Sequence, residues 1–586
     1  MRGASTPPRD EPAPRLAVGV RIRGGDEFAH GWPAAIAQAV AAEPSLALRA
    51  LVRSGGEAAP APAPARATSR IDRIVDALLG AIDRPLYADV AAARTVPDAP
   101  RTDADALGAC DLVLEIDARE GPGTEPTTGV RTWPLTGSRI RAEIEASLLG
   151  GFDVADLVLR ERVGPGADGT RVHAVHGLPA QSFSRTDRLT AAFGALPAFV
   201  ASALVRVATG TPEPPADRAR LAARDRLLMP TGPDRSATGR AARRRLGAAL
   251  RLALRQLAAR ARDRFTEERW ELAWHPDPPA EGERSALAAL LERPVGAWRP
   301  LLRSSTAVRA DPHALAGPDG IDLWFEELPE GRARAHVAHA RLALGRSPDG
   351  SATLAPPGGE DAPGPALSSE HHLSFPFVFE HGGERLMVPE TARARRLELY
   401  REAGSPRRWA FERTLVDGLD ATDTALFERD GRWWLFTSAM SHRAVDERDL
   451  LLLYHAPRPT GPWRAHPANP VVRGVEGARM AGPVFELDGH LVRPSQYGAR
   501  RYGHGLNLNR IDALDPERYA ESLLGRTVPD RRGPWLGLHS ISRAGGVTFV
   551  DRLRRRPKPG PGGLAGRAAE RLAAALGLRG RDEALR

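Results

Sequence analysis

Two kinds of hydrophobic pattern divide the chain near residue 211. Before it, short apolar runs alternate with stretches of helical spacing. Leu16-Ala-Val-Gly-Val-Arg-Ile22 reads as a strand, Trp32 to Ala42 as a helix, Ala47 to Val52 as a strand and Ile71 to Ile82 as an amphipathic helix. Cys110 to Ile116 reads as a buried parallel strand, Val154 to Val163 and Arg171 to His176 as further strands, and Thr190 to Ala208 as a long closing helix. Strands alternating with helices predict an α/β, Rossmann-like domain over residues 15–210 with a mainly parallel sheet, after a disordered stretch at 1–14. The glycines of Gly19-Val-Arg-Ile-Arg-Gly24-Gly25 fit neither a dinucleotide-binding nor a Walker pattern, so they predict a turn, and no cofactor is expected. Pro212-Glu-Pro-Pro215 opens a helical linker that runs to 265, in which Arg240 to Arg264 carries charge all round and predicts a solvated connector.

The second half alternates strands without helices, and it repeats. Four octamers align without gaps, beginning at Gly320, Gly383, Gly431 and Gly489. Each follows a glycine-containing turn, and each turn follows a short apolar strand, the pattern of a β-hairpin, because glycine accepts the positive φ that tight hairpins need. Leu399-Tyr400 and Leu453-Tyr454 are each followed nine residues after the tyrosine by a tryptophan, Trp409 and Trp463, as further strands would be. The units recur at 64, 48 and 59 residues, counted from Pro312 to Pro376 to Thr424 to Pro483. Four-stranded units at that period predict propeller blades. Leu536 to Asp551, with Gly545-Gly546 at its turn, supplies a fifth hairpin, and Glu268 to Trp274 supplies an outer strand that closes the ring. The expectation is a five-bladed β-propeller over 266–555, then a basic tail at 556–586 with a short helix.

In a propeller the starts of the inner strands converge at one mouth. Those positions hold Asp311, Phe375, Asp423 and Gly482, and the position closing the second strand holds Glu327, Glu390, Ser438 and Gln496. Paired carboxylates are what glycosidic cleavage requires, one protonating the leaving oxygen while the other activates water or attacks. Asp311, Asp423 and Glu390 are therefore candidate catalytic residues. Glu327, Arg479, Arg493, Gln496, Tyr502 and His539 are candidate substrate contacts, a composition that suits a polyol. Asp311 and Asp423 are equally explained as caps that begin a strand after a loop.

Composition changes the picture in two places. The net charge of +9 would ordinarily suggest a polyanion partner, but Lys558 is the only lysine in a chain rich in Ala, Gly, Pro and Arg, and no basic patch is interleaved with aromatics. Nucleic acid is not expected as a partner. Cys110 stands alone, which excludes an intramolecular disulfide and cysteine-rich metal sites, and no other spacing identifies metal ligands. No apolar h-region opens the chain and no stretch approaches the ~18 apolar residues of a membrane span. A cytoplasmic protein is expected, with peripheral membrane contact open to the basic tail.

Ala310-Asp-Pro, Leu323-Trp-Phe-Glu-Glu, His372-Leu-Ser-Phe-Pro-Phe-Val-Phe-Glu, Met387-Val-Pro-Glu-Thr, Asp423 to Phe436 and His466-Pro-Ala-Asn-Pro resemble the propeller domain of the glucosamine inositolphosphorylceramide transferase N-terminal family. That domain is similar to the five-bladed propellers of glycoside hydrolase family 43. The resemblance implies an Asp base, an Asp that tunes pKa and a Glu acid. Asp311 matches the base by its Ala-Asp-Pro context, Phe375 stands where the second aspartate would be, and Glu390 lies on a neighbouring strand. Bacterial members carry an N-terminal domain similar to formyltransferases, but Gly129-Val-Arg-Thr-Trp-Pro-Leu135 lacks the formyltransferase pattern of active enzymes. After Arg555 only a short tail remains, so the separate glycosyltransferase domain of the plant enzymes is not expected here.

Three functions remain open from the sequence. The first is a carbohydrate-active propeller that acts on a glycosidic bond in bacterial polysaccharide or glycolipid metabolism. The second is a non-catalytic glycan-binding protein that assists polysaccharide assembly. The third is an amino-sugar formyltransferase-like enzyme.

Overall fold

The computed structural model describes residues 16–23, 32–54, 73–75, 107–117, 130–226, 235–277 and 290–558, a few short internal stretches apart. Residues 266–557 form a five-bladed β-propeller. Blade one runs outward from Ala307–Gly317 through Gly320–Pro329 and His336–Arg346 to Ala352–Ala355. Blade two is Ser374–His381, Glu384–Glu390, Arg396–Ser405 and Arg408–Asp417, and blade three begins with Ala421–Arg429, Arg432–Ala439 and Leu450–Ala456. Blade four is Phe485–Leu487, His490–Tyr497, Gly505–Leu514 and Tyr519–Thr527. In blade five the inner pieces Trp535–Gly537 and Ile541–Ala544 pair with Val547–Pro557, which pairs in turn with Thr266–Pro276 from the start of the propeller. That last pairing runs from Val547 opposite Pro276 to Pro557 opposite Thr266 and closes the ring, so no long sheet edge is left in blade five where the chain ends meet.

The hairpins form for the reason the glycines suggest. Gly383, Gly431, Gly489 and Gly546 all sit at positive φ in their turns, where a Cβ would be strained. Alternation then sends both faces of the strands into the gaps between blades: Trp324 is fully buried against Val378 and Met387 of blade two, and its neighbour Phe325 against Phe549 of blade five. Each such side chain stabilises the fold by about 1.5–3 kcal/mol relative to exposure.

The inner strands of blades one, two and three share one irregularity. Opposite Ala310–Glu326, Ser374–Glu390 and Thr422–Ser438 pairs, an extra residue bulges out of the ladder, and its first member has left-handed backbone: Asp311 at φ 51°, Phe375 at 41° and Asp423 at 51°. A non-glycine residue there costs roughly 1–3 kcal/mol, and such strain concentrates where a side chain must be aimed.

The N-terminal unit departs from expectation. Its described strands make one four-stranded parallel sheet, in the order Leu46–Ser54, Leu16–Arg23, Leu112–Asp117, Arg131–Thr136. That is short of the five or six strands of a doubly wound fold, so a full Rossmann-like domain is not what the described residues build. Val154–Arg162 and Thr170–Pro179 pair antiparallel with each other as a separate hairpin instead of extending the sheet. The helix Gly137–Gly150 and the strand Arg131–Thr136 escaped the reading of hydrophobic pattern, the strand because Pro134 and two threonines mask a buried segment. The 71–82 helix lies largely, and the 1–14 and 559–586 segments wholly, outside the described residues. One helix, Asp187–Thr209, is long and apolar enough by length and composition to cross a membrane, contrary to expectation. Its apolar window is 61% buried, against the parallel sheet, the helix Trp32–Ala42 and the propeller.

That contact with the propeller falls on a particular rim. Inner strands begin and second strands end at the mouth, so the segments linking second to third strands and one blade to the next lie on that side. The N-terminal unit grips two of them. His176 Nε2 lies 2.7 Å from Asp449 Oδ2 with both side chains fully buried, Val475 donates its N–H to Gly177 O at 3.1 Å, and Arg206 reaches Val471 O at 2.7 Å. Arg473 donates to Ser202 Oγ at 2.6 Å and pairs with Glu213, and Arg220 bridges Asp156 and Glu476 at 2.8 and 2.9 Å. Gly194 packs so closely on the His442 ring that a Cβ would meet it at 2.3 Å.

Candidate functional site

The bulges bring Asp311 and Asp423 to the mouth, and every blade contributes to what surrounds them. Blade one adds Glu326 and blade two Glu390, opposite Ser374. The loop between the second and third strands of blade three adds Glu447 and Arg448. Arg479 comes from the link to blade four, Tyr502 from the loop after its second strand, and His539 and Asp551 from blade five.

At one side His539 stands between two carboxylates, with Nδ1 2.7 Å from Asp551 Oδ2 and Nε2 3.1 Å from Asp311 Oδ1. Asp551 accepts the backbone N–H groups of Asp311, His539 and Ser540 at 2.9–3.1 Å and the Ser540 hydroxyl at 2.8 Å. Burial would raise its pKa, but His539 and these donors hold it below the ordinary carboxylate value. Burial would likewise discharge His539, yet the Asp551 and Asp311 carboxylates outweigh it and keep the ring protonated well above its usual range. Asp311 also accepts the Phe375 N–H at 3.2 Å. Burial lifts its carboxyl to about 6, with His539 pulling the other way.

At the other side Arg479 Nε lies 2.5 Å from Asp423 Oδ2 and its Nη1 3.5 Å from Glu447, while the guanidinium covers the Tyr502 ring at 4.6 Å. Glu390 shares this neighbourhood without a cation of its own. Its pKa stands well above the usual carboxylate value, first because burial opposes charge and then because Asp423 and Asp311 repel it more than Arg479 and Arg448 relieve it. The mouth thus holds Glu390 kept protonated and, on the His539 side, Asp551 kept ionised at neutral pH.

The channel beneath is not a pore. Pro312, Pro376 and Pro483 crowd its axis with Phe375, Phe377 and His313, leaving a cavity of about 10 Å³, room for about one water. His313 is held neutral there, its pKa lowered to about 4 by burial, and Nε2 faces Val378 O at 2.6 Å. Among the described residues Asp311, His539 and Asp551 offer ligand atoms within 4.8 Å of one another, a spacing a divalent cation accepts. Such an ion would have to displace the proton that His539 carries between the two carboxylates.

Two sequence candidates are turned elsewhere, Arg493 and Glu327, and a third, Gln496, stands at the mouth beside Arg479, to whose carbonyl it donates its backbone N–H at 2.8 Å, with its side chain engaged. Arg493 is fully buried and forks onto Glu521 at 2.6 and 2.7 Å, with Gly477 O at 2.8 Å, which makes it a strut within blade four. Gln496 donates to Met480 O at 3.1 Å. Glu327 faces away from the mouth and pairs with Arg309 at 2.6 Å. Its neighbour Glu326 occupies the mouth in its place, with His372 Nε2 at 3.1 Å. The slip has a simple origin. In the other hairpins the octamer glycine lies in the turn, as Gly382-Gly383 does between paired His381 and Glu384. Gly320 instead pairs with Gly317 and is already the first residue of its strand, so alignment by glycine is one residue out in blade one. Glu447, Arg448 and Asp551 carry no repeat signal, because loops and fifth-blade strands fall outside the aligned octamers.

The fold and the mouth define a five-bladed propeller with an acidic, five-blade site. The family model described as glucosamine inositolphosphorylceramide transferase 1, N-terminal, matches residues 324–535, inside the propeller. Glucosamine inositolphosphorylceramide transferase 1 of Oryza sativa subsp. japonica is 32% identical over 234 residues, 39% of this chain and 30% of that protein. The protein of the same name from Arabidopsis thaliana is 31% identical over 214 residues, 36% of this chain and 26% of that protein. The chain therefore spans under a third of the length of these relatives, which are plant proteins and not bacterial ones. Among solved structures, a beta-xylosidase/alpha-arabinofuranosidase of glycoside hydrolase family 43 from a compost microbial metagenome aligns at TM-score 0.30 and 14% identity, over 45% of this chain and 94% of that one. The matched relatives contain no support for a formyltransferase-like N-terminal unit, since the family match lies wholly within the propeller.

Proposed function

We propose that the propeller mouth acts on a glycosidic bond of a carbohydrate or glycolipid, with Asp311 as base or nucleophile, Glu390 as acid, and the Asp423–Arg479 pair as the fixed charge that sets them apart. The observation that carries this reading is the unequal treatment of two buried carboxyls in one mouth: Glu390, without a cation of its own, is held protonated well above its usual range, whereas Asp311, eased by His539, is lifted only to about 6 and is ionised at neutral pH. Two titratable groups driven apart in pKa are the arrangement that acid–base catalysis uses. The name of the plant relatives adds the substrate class, a sugar joined to an inositol-containing sphingolipid. Turnover of chromogenic glycosides and of glycosylated inositolphosphoceramide, by the native protein and by Glu390→Gln, tests it. Loss of turnover in a variant that still binds the sugar is expected; equal turnover would overturn the assignment.

A second reading, glycan binding without cleavage, is favoured by one feature. Both oxygens of Asp311 and one of Asp423 are already hydrogen-bonded within the protein. Saturable binding with no turnover of any glycoside, unchanged by Glu390→Gln, would select it.

A further inference from the structure

The helix Arg235–Phe265 is not the evenly charged connector its composition suggests. One face is packed: Ala248, Ala249 and Leu252 are buried with Val75, Leu148 and Leu149. At about 100° per residue the opposite face carries Leu250, Leu254 and Leu257 within a sector of about 60°. These three are 49%, 54% and 59% exposed. They form the main run of exposed large apolar side chains on any one element among the described residues.

The charge around that stripe is one-sided. The helix holds ten arginines against the single Asp263, a formal +9 that equals the net charge of the whole chain. Everything else therefore balances to zero, and the excess lies on 31 residues. Arg245 is engaged by Glu145, but Arg243, Arg244 and Arg251 are exposed and flank the leucines. An apolar stripe bordered by arginine on a long helix is the pattern that lies in the plane of an anionic bilayer, leucines in the acyl boundary and guanidinium groups on lipid phosphate.

We propose that this helix docks the protein on an anionic lipid surface through Leu250, Leu254 and Leu257 with Arg243, Arg244 and Arg251. The occupant is lipid and not nucleic acid because the leucines form the centre of the patch, where a nucleic-acid surface would place further cations or aromatics. The proposal is independent of the chemistry assigned to the propeller mouth.

Cosedimentation of the full chain with vesicles tests it, using phosphatidylcholine alone against phosphatidylcholine with about a third phosphatidylglycerol. Binding to the anionic vesicles only, weakened by high salt, is expected. Each arginine near the surface contributes about fivefold in partitioning, so Arg243→Ala with Arg244→Ala and Arg251→Ala should lower it on the order of a hundredfold. Leu250→Asp with Leu254→Asp and Leu257→Asp should abolish it. All six positions are exposed, so both variants should melt with the native protein, and both should keep its oligomeric state. Equal binding to neutral vesicles, or native-like binding by the leucine variant, overturns the proposal; the latter would assign any membrane contact to residues 556–586. So would a dimer of the native chain that the leucine variant dissociates, or DNA binding of equal strength that the leucine variant keeps.

Discussion

The molecule buries two clusters of charge, and they are built differently. Where the N-terminal unit meets the propeller, each acid has a dedicated partner across a short contact: Asp449 has the His176 ring, Glu213 has Arg473, and Asp156 and Glu476 share Arg220. At the mouth, Asp311, Glu326, Glu390, Asp423, Glu447 and Asp551 face chiefly Arg479 and His539. The first arrangement neutralises charge so that two surfaces can stay together. The second leaves carboxyls in competition, and competition is what separates their proton affinities. The two clusters also touch, since Asp449 holds the Ser441 N–H at 2.7 Å and so anchors the loop that carries Glu447 and Arg448.

The largest expected effect lies at the mouth. Asp311→Asn and Glu390→Gln should each cost about 10²–10⁴ in rate on a true substrate, with the fold intact. At the interface the reverse should hold. Arg473→Met strands Glu213, and removing one partner of a buried pair costs about 3–5 kcal/mol, read as a lower midpoint in urea. If instead it is stable and only turnover falls, the interface belongs to the site and the distinction fails.

Dependence on pH separates the clusters more finely. With a folded value near 6 against an ordinary carboxylate near 3.8, the folded state binds more protons at Asp311 than the unfolded chain does. Its contribution to stability is present below about pH 4 and is lost as pH rises through 6, a change of at most about 3 kcal/mol. Asp311→Asn should flatten that slope in denaturation curves between pH 4 and 7. Activity should run the other way, falling below about pH 6 as Asp311 takes up its proton.

The smallest effect sharpens the blade-one register. Glu327→Gln weakens a largely buried pair with Arg309 but keeps an oxygen to accept from it, and should cost about 0.5–1.5 kcal/mol with turnover unchanged. Glu326→Gln, one residue away, should shift the acid limb of the pH–rate profile because it removes a negative neighbour of Asp311. Identical profiles for the two variants would break the assignment of Glu326 to the mouth.

Much of the propeller was legible without coordinates because its signals are local. Turn glycines and alternation within octamers each concern fewer than ten consecutive residues and specify hairpins whatever lies around them, and their recurrence at 48 to 64 residues is read directly along the chain. The closing strand at Glu268 to Trp274 was legible too, since a ring with one strand missing demands it. The bulge that aims Asp311 and Asp423 was not, because a residue at positive φ has no pattern of its own when it is Asp or Phe.

What the chain order alone determined was therefore the unit and its number: five hairpins, their turns, and acids at the starts of two inner strands. Only the tertiary structure decided which acids meet. Glu326 replaces Glu327 through a one-residue difference in the blade-one turn, Arg493 withdraws to Glu521, and Glu447 and Arg448 arrive on a loop held by Asp449 and His176 from the other unit. The physical reason is range. Hairpins follow from backbone preferences between neighbours, whereas the protonation of Glu390 and Asp311 follows from burial and from charges that the ring brings together across more than two hundred residues.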